Sequence, residues 1–369
     1  MAIKSNTPAR GGTWRQGLLA LLMSAASGFA SLAHAGDAAI VINAADGQVI
    51  TAVNADEPNH PASLAKMMTL YLAFQAVQNG TLKMDQELPV SSWAAAKAPT
   101  KLDLRNGQTI SVEDCVLGMI TKSANDAATV VAEGLGGSED HFVEMMNAQA
   151  QLLGMSNTRF GNASGLPDPE DTTTARDMSK LAMALYHDFP QYSHYFSTKD
   201  FMFRGRLVRG HNNLMDKYPG MDGLKTGFTN AAGFNLASTA VKDGRRLFSV
   251  VMGGRTAASR DRLMARLLDD GFENQETPAE LVAQAGEAPA TVAKGRRAKG
   301  GVATKATALA DASSGSRRHH RRSSKTEAVA TATASCSKKK KGGTCPATST
   351  ARSKVAGQKV ASAGASPDK

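Results

Sequence analysis

No aromatic residue follows Phe272, and no acidic residue precedes Asp37. These two absences set both ends of the 369-residue chain apart from its middle. Beyond about Gln275, Ala, Ser, Thr, Gly, Lys and Arg take over and the apolar residues are mostly alanine. Such a segment cannot bury enough surface to offset its chain entropy, so 276–369 is expected to be a disordered tail. At the other end, Lys4, Arg10 and Arg15 precede an apolar and small stretch, Gly17 to Leu32, and then Ala33-His34-Ala35. That is the pattern of an export signal over 1–35, cleaved before Gly36. The apolar part is too short and too rich in Ala, Ser and Gly to make a good membrane span. No other apolar run reaches spanning length, so the mature chain is expected in the periplasm or otherwise outside the cytoplasm.

Cysteine is nearly missing. Cys115 sits among Val112, Val116 and Met119 in an amphipathic stretch and reads as a buried, inert thiol. Cys336 and Cys345 are close enough to pair in an oxidising compartment, although a flexible tail does not need them to. There is no C-x-x-C pair, no H-E-x-x-H and no phosphate-binding glycine loop; His319-His320 lies in the tail. No metal and no cofactor are expected. Gly161-Asn162-Ala163-Ser164-Gly165 lacks the serine-centred spacing of a nucleophile elbow, which argues against a Ser-His-Asp hydrolase.

The net charge of +10 conceals opposite blocks. Residues 36–287 hold 22 Lys/Arg against 30 Asp/Glu, net −8, whereas 288–369 hold 18 against 3, net +15. The basic character therefore belongs to the tail. Its clusters Arg317-Arg318-His319-His320-Arg321-Arg322 and Lys338 to Lys341 suit an anionic envelope surface, or form a solvated linker. An exported chain is not expected to meet nucleic acid.

The middle carries the structure. Ala38 to Ile42, a turn at Asp46-Gly47, and Gln48 to Val53 predict a hairpin. Leu64 to Val77 is a helical pattern apolar nearly all round, hence a central buried helix. Further helices are expected at Val112 to Ile120, Asn125 to Leu135, His141 to Leu153, Ala175 to Tyr186 (with Thr174 as N-cap) and Arg260 to Leu268. Asn235 to Val241, Asp243-Gly244 and Leu247 to Met252 give a second hairpin. Strands at both ends of 36–275 around a helical block predict a single α+β domain whose antiparallel sheet joins the two chain ends.

Three short strings fall on this frame: Ser63-Leu64-Ala65-Lys66, Ser123-Ala124-Asn125, and Lys225-Thr226-Gly227. Each alone arises by chance in many proteins. In this order and with their flanks, Pro61 to Thr69 and Asp222 to Thr229, they resemble the acyl-transfer machinery of β-lactamases and penicillin-binding proteins. The match is to the low-molecular-mass D-alanyl-D-alanine carboxypeptidases, and it runs from about Ile40 to Phe272. Ser63 and Lys66, one helical turn apart, share a face, so Lys66 can take the Ser63 proton if burial and a second cation lower its pKa. Lys225 is the natural second cation.

The resemblance implies more. Ser123 would relay protons and Asn125 would orient Lys66 and the substrate amide. Lys225 and Thr226 would hold a C-terminal carboxylate, and Gly227 would let substrate backbone approach. The N–H groups of Ser63 and Phe228 would form the oxyanion hole. Arg260 matches a family arginine that helps bind the carboxylate; Arg255 fits the string equally well. The expected substrate is the peptidoglycan stem peptide, losing its terminal D-alanine, with β-lactams as covalent inhibitors. An endopeptidase cutting cross-links shares all three motifs. A β-lactamase would need a deacylating carboxylate, and no E-x-x-L-N string lies between the second and third motifs. A non-catalytic wall binder would not need every catalytic side chain. The small β-rich second domain and amphipathic C-terminal helix of many relatives have no counterpart in the tail.

Overall fold

The computed structural model describes residues 1–2 and 37–287. The export signal, the basic clusters, Cys336 and Cys345 lie outside the described residues. In chain order the strands are β1 (Ala38–Asn43), β2 (Val49–Val53), β3 (Glu87–Pro89), β4 (Thr109–Ser111), β5 (Asp200–Phe203), β6 (Arg206–Arg209), β7 (Met221–Thr229), β8 (Gly233–Lys242) and β9 (Arg245–Gly254). The helices are α1 (Lys66–Gln78), α2 (Ser92–Ala95), α3 (Val112–Thr121), α4 (Asn125–Gly136), α5 (Glu139–Leu152), α6 (Ala175–Asp188), α7 (Ala257–Phe272) and α8 (Ala279–Gly286).

Five strands form one antiparallel sheet in the order β2-β1-β9-β8-β7. The first strand of the domain thus pairs with its last, as the expected α+β class requires. β1 reads as an unbroken apolar run because both of its faces are covered. Ala38, Ile40 and Ile42 pack against the helical block, and Ala39 and Val41 against the opposite side, where Leu263, Leu267 and Val282 lie. Successive strand residues point to opposite faces, so two cores meet at one strand.

Helix α1 is buried along almost its whole length, from Lys66 through Phe74, and forms the axis of the helical block. Caps fix where its neighbours start. Ser111 Oγ accepts from Asp114 N, Ser138 Oγ from His141 N and Thr174 Oγ1 from Asp177 N. Thr256 and Ser259 form a reciprocal capping box at α7. Cys115 is buried, and burial pushes its thiol well above the usual range.

The expected domain end at Gln275 is too early. Thr277 is buried, its N–H donating to Thr51 Oγ1 (3.0 Å) and its hydroxyl to Asp270 Oδ2 (2.8 Å). Helix α8 follows, with Val282 buried beside α7 and the Ala285 carbonyl accepting from Arg255 N and Ser259 Oγ. Residues 276–287 therefore belong to the folded domain. Their alanine-rich composition resembles the tail, but two well-placed apolar side chains are enough to dock a short helix.

Candidate active site

The three motifs converge on one cleft of about 340 Å³, lined among others by Ser63, Ser123, Asn125, Thr226, Gly227, Phe228 and Arg260. Ser63 stands in a 3-10 turn, Ala62–Ala65, directly before α1. Ser123 stands in the break between α3 and α4, and Asn125 opens α4. Lys225, Thr226, Gly227 and Phe228 lie on β7, the edge strand of the sheet. Arg260 is in the first turn of α7.

Two residues here have left-handed backbone: Ala62 (φ 48°) and Ser123 (φ 59°). For a non-glycine residue that costs roughly 1–2 kcal/mol. The surrounding structure holds both. Asn235, buried in β8, donates from Nδ2 to the carbonyls of His60 and Pro61 (3.0 and 3.3 Å) and so anchors the turn before Ser63. Thr100 Oγ1 donates to the Ser123 carbonyl (2.9 Å), and Asn125 N donates to the Thr100 carbonyl (2.8 Å).

Lys66 is fully buried. Its Nζ lies 2.7 Å from Asn125 Oδ1, 2.6 Å from the Ser164 carbonyl and 3.2 Å from Ser63 Oγ. A neutral amine has two N–H donors and one lone pair. Asn125 and Ser164 accept from the two donors, which leaves the lone pair for the Ser63 hydroxyl. Burial first, and then the Lys225 charge, hold the Lys66 pKa well below its usual value, with Asp126 opposing. The Asn125 amide cannot flip freely, because its Nδ2 donates to the Ala98 carbonyl (2.9 Å).

Lys225 is also buried, and donates to Ser123 Oγ (3.0 Å) and the Thr226 carbonyl (2.7 Å). Burial and, second, the Arg260 charge bring its pKa down to about 7. Ser123 Oγ therefore sits beside a cation that gives up its proton near neutrality. Arg260, 4% exposed, donates to the Asn235 carbonyl (2.6 Å) and to Asp261 Oδ1 (2.8 Å). Arg255 is exposed and does not line the cleft, so Arg260 is the arginine that the site contains. The glycine of the third string has a steric reason: a Cβ on Gly227 would lie 3.2 Å from Ser63 N and crowd that N–H.

Three contributors were not read from the sequence. The loop that failed as a nucleophile elbow is the floor of the site. Asn162 Oδ1 accepts from Ser164 N, Ser164 Oγ and Leu166 N, which fixes the Ser164 carbonyl under Lys66. Gly165 (φ 70°) packs on the Ala62 backbone where any Cβ would collide. Asp126 accepts from Leu102 N, Leu104 N and Ala127 N and ties the 102–104 loop to α4. His211 also lines the cleft, and burial, then Lys225, Lys122 and Lys66, lower its pKa to about 4. Among the described residues, no three His, Cys, Asp or Glu side chains gather as a metal-binding group.

The mixed α/β scaffold thus sets a serine beside a buried lysine whose pKa is held low, at the edge of the sheet. The family model for D-alanyl-D-alanine carboxypeptidase, peptidase S11, matches residues 25–256, and the chain belongs to that family. It is 36% identical over 251 residues to D-alanyl-D-alanine carboxypeptidase DacD of Escherichia coli, covering 66% of this chain and 64% of that one. The match thus spans slightly less than two thirds of that relative's length. Penicillin-binding protein 5 from Haemophilus influenzae has a similar structure, with TM-score 0.62 at 35% identity over 65% of this chain and 71% of that one. Penicillin-binding protein D2 from Listeria monocytogenes, solved in its cefotaxime-bound form, gives 0.59 at 34% identity over 65% and 97%.

Proposed function

We propose that this chain is a serine-type D-alanyl-D-alanine carboxypeptidase that removes the terminal D-alanine from peptidoglycan stem peptides. The observation that carries the reading is Lys66: fully buried, with both N–H donors committed and its lone pair left toward Ser63 Oγ.

The terminal carboxylate binds to Lys225, Thr226 and Arg260. Lys66 takes the Ser63 proton as Oγ bonds to the carbonyl carbon of the penultimate residue. The resulting oxyanion faces the N–H groups of Ser63 and Phe228. Collapse breaks the C–N bond, and the departing amine of D-alanine receives the proton through Ser123. Water then attacks the ester, Lys66 again taking the proton, and Ser63 is restored. A β-lactam enters the same path up to the acyl-enzyme, and without a dedicated carboxylate base its release is slow.

The reading includes export. Cleavage before Gly36 would leave β1, which begins at Ala38, whole. The basic segment 288–369 would then serve as an anchor to an anionic envelope surface, through contacts that weaken as salt rises.

Mass spectrometry of muropeptides after incubation with the mature protein tests the reaction. Pentapeptides should lose one alanine while cross-linked dimers persist; the reverse would make it an endopeptidase. Benzylpenicillin should leave a long-lived adduct on the peptide containing Ser63, and a Ser63→Ala protein that still acylates would refute the mechanism.

A further inference from the structure

Of the exposed large apolar side chains among the described residues, Phe228 is the one in the catalytic cleft, and it is 50% exposed. Its ring packs on that of Phe234, with centroids 4.2 Å apart and planes 33° from parallel. Phe234 lines the cleft as well. The reaction described above uses the Phe228 N–H and leaves both rings without a task.

Strand register fixes where in the cleft the rings lie. Thr226 opposes Leu236 and Phe228 opposes Phe234 across β7 and β8. Opposed residues share a face of an antiparallel pair, and so do residues two apart on one strand. Leu236 packs in the core with Leu263 and Leu267 of α7, so all four side chains point to that face. Arg260, in the first turn of α7, arrives on the same side, where its Nη1 donates to the Asn235 carbonyl (2.6 Å). Lys225, by alternation, reaches the other face and Ser123. Thr226 and Arg260 help hold the carboxylate. Phe228 stands two residues, about 7 Å, further along β7 at roughly 3.3 Å per residue. In an amino acid the side chain branches from the carbon that bears the carboxylate. A terminal residue held at Thr226 and Arg260 therefore brings its own side chain within reach of the rings. A methyl group covers little of them, whereas a longer apolar side chain removes more of their exposed surface from water.

We propose that Phe228 and Phe234 form a subsite for the side chain of the departing residue, and that the enzyme releases terminal D-residues with a branched aliphatic side chain as well as D-alanine. The inference rests on the carboxypeptidase reading above. The chemistry is unchanged. Ser63 Oγ bonds to the same carbonyl carbon, the same C–N bond breaks, the leaving amine takes the proton, and water hydrolyses the same acyl-enzyme. Only the side chain on the leaving amine differs.

The test gives the full mature protein three synthetic peptides, Nα,Nε-diacetyl-L-Lys-D-Ala followed by D-Ala, D-Leu or D-Asn, and measures the D-amino acid released. D-Leu and D-Asn have nearly the same shape, so their ratio reports apolar contact and not size. In the wild-type protein kcat/KM for D-Leu should exceed that for D-Asn by roughly five- to tenfold, the size of one or two methylenes moved from water onto the rings. D-Leu should be released about as efficiently as D-Ala. Phe228→Ser should bring the D-Leu to D-Asn ratio toward one; any effect on the neighbouring N–H is common to both peptides and cancels. Phe234→Ala, which removes the supporting ring, should lower the ratio less. Thermal unfolding checks that each variant is folded; should Phe228→Ser fail to fold, Phe234→Ala and the wild-type ratio decide. If D-Ala is released but the wild-type D-Leu to D-Asn ratio is near one, or is unchanged in folded Phe228→Ser, the subsite is overturned and the carboxypeptidase reading stands. If none of the three peptides is cut, that reading falls and the subsite with it.

Discussion

The two faces of the five-stranded sheet solve different problems. On the side of α7 and α8 the core is aliphatic: Val41, Leu236 and Leu247 meet Leu263, Leu267 and Val282. On the side of the helical block, apolar packing surrounds Lys66, Lys225, Ser123, Asn125 and Asp126, all buried and polar. Burying a lysine is costly unless it goes neutral or finds partners. One face therefore supplies stability with little chemistry, and the other spends stability on a lysine that can accept a proton. Each face can be broken separately.

The largest effect is expected on the catalytic face. Lys66→Arg keeps a cation but cannot release a proton at working pH. Acylation by benzylpenicillin, followed by stopped-flow or quenched labelling, should fall by roughly 10²- to 10⁴-fold, the range for lost general-base catalysis. A near wild-type rate would remove Lys66 from that role.

On the opposite face, a chain ending at Gln275 loses α8 and the Thr277 bonds, and exposes the apolar surface that Val282 covers. Unfolding stability in urea should drop by about 2–4 kcal/mol relative to a chain ending at Glu287, the scale of one or two buried aliphatic side chains. Carboxypeptidase activity at low temperature should survive, because no cleft residue lies beyond Arg260. Equal midpoints for the two chains would mean that α8 adds nothing to the core.

The pH profile separates the two lysines on the same face. Lys66 must be neutral to act, so kcat/KM rises on the acid side as it loses its proton. Lys225 must be protonated to attract a carboxylate, so kcat/KM falls as pH passes its pKa of about 7. A bound carboxylate stabilises the Lys225 cation, so the alkaline limb should move upward in kcat. Lys225→Ala should lose that limb and discriminate less between free and amidated C-termini. An alkaline limb that persists in the variant belongs to another group.

Much of both faces was legible in the sequence, for distinct physical reasons. The continuous apolar run of β1 and the all-round apolar pattern of α1 report burial on every side, and Thr174 announces the start of α6. The three strings that meet at the cleft were legible because their side-chain identities mark them. Ser164 was not, since it contributes a backbone carbonyl and any residue supplies one. The pairs β3–β4 and β5–β6 have strands of three or four residues, too short for a period of two to stand out. Helix α8 was hidden by composition, because alanine counts equally toward a tail and toward a close-packed helix.

The smallest effect is a gain. Lys225→Met keeps the length of the side chain and removes a buried cation. The folded pKa of Lys225 is about 7 against the usual 10.5 of a lysine in water, so between these values the unfolded chain holds more protons than the folded one. Wild-type stability should therefore rise with pH across that window. Below it, the full penalty of the buried charge is present. The variant should be more stable than wild type by about 1–2 kcal/mol near pH 6, as expected when a functional strain is relieved. That advantage should shrink steadily from pH 7 toward 10. Loss of the Lys225 charge also eases the burden on Lys66, whose pKa it depresses, and this adds to the gain. Denaturant unfolding of both proteins at several pH values reads the difference directly. A variant less stable than wild type at pH 6 would mean that the bonds to Ser123 Oγ and the Thr226 carbonyl outweigh the desolvation of Lys225, and that the catalytic face is stabilised by its lysines.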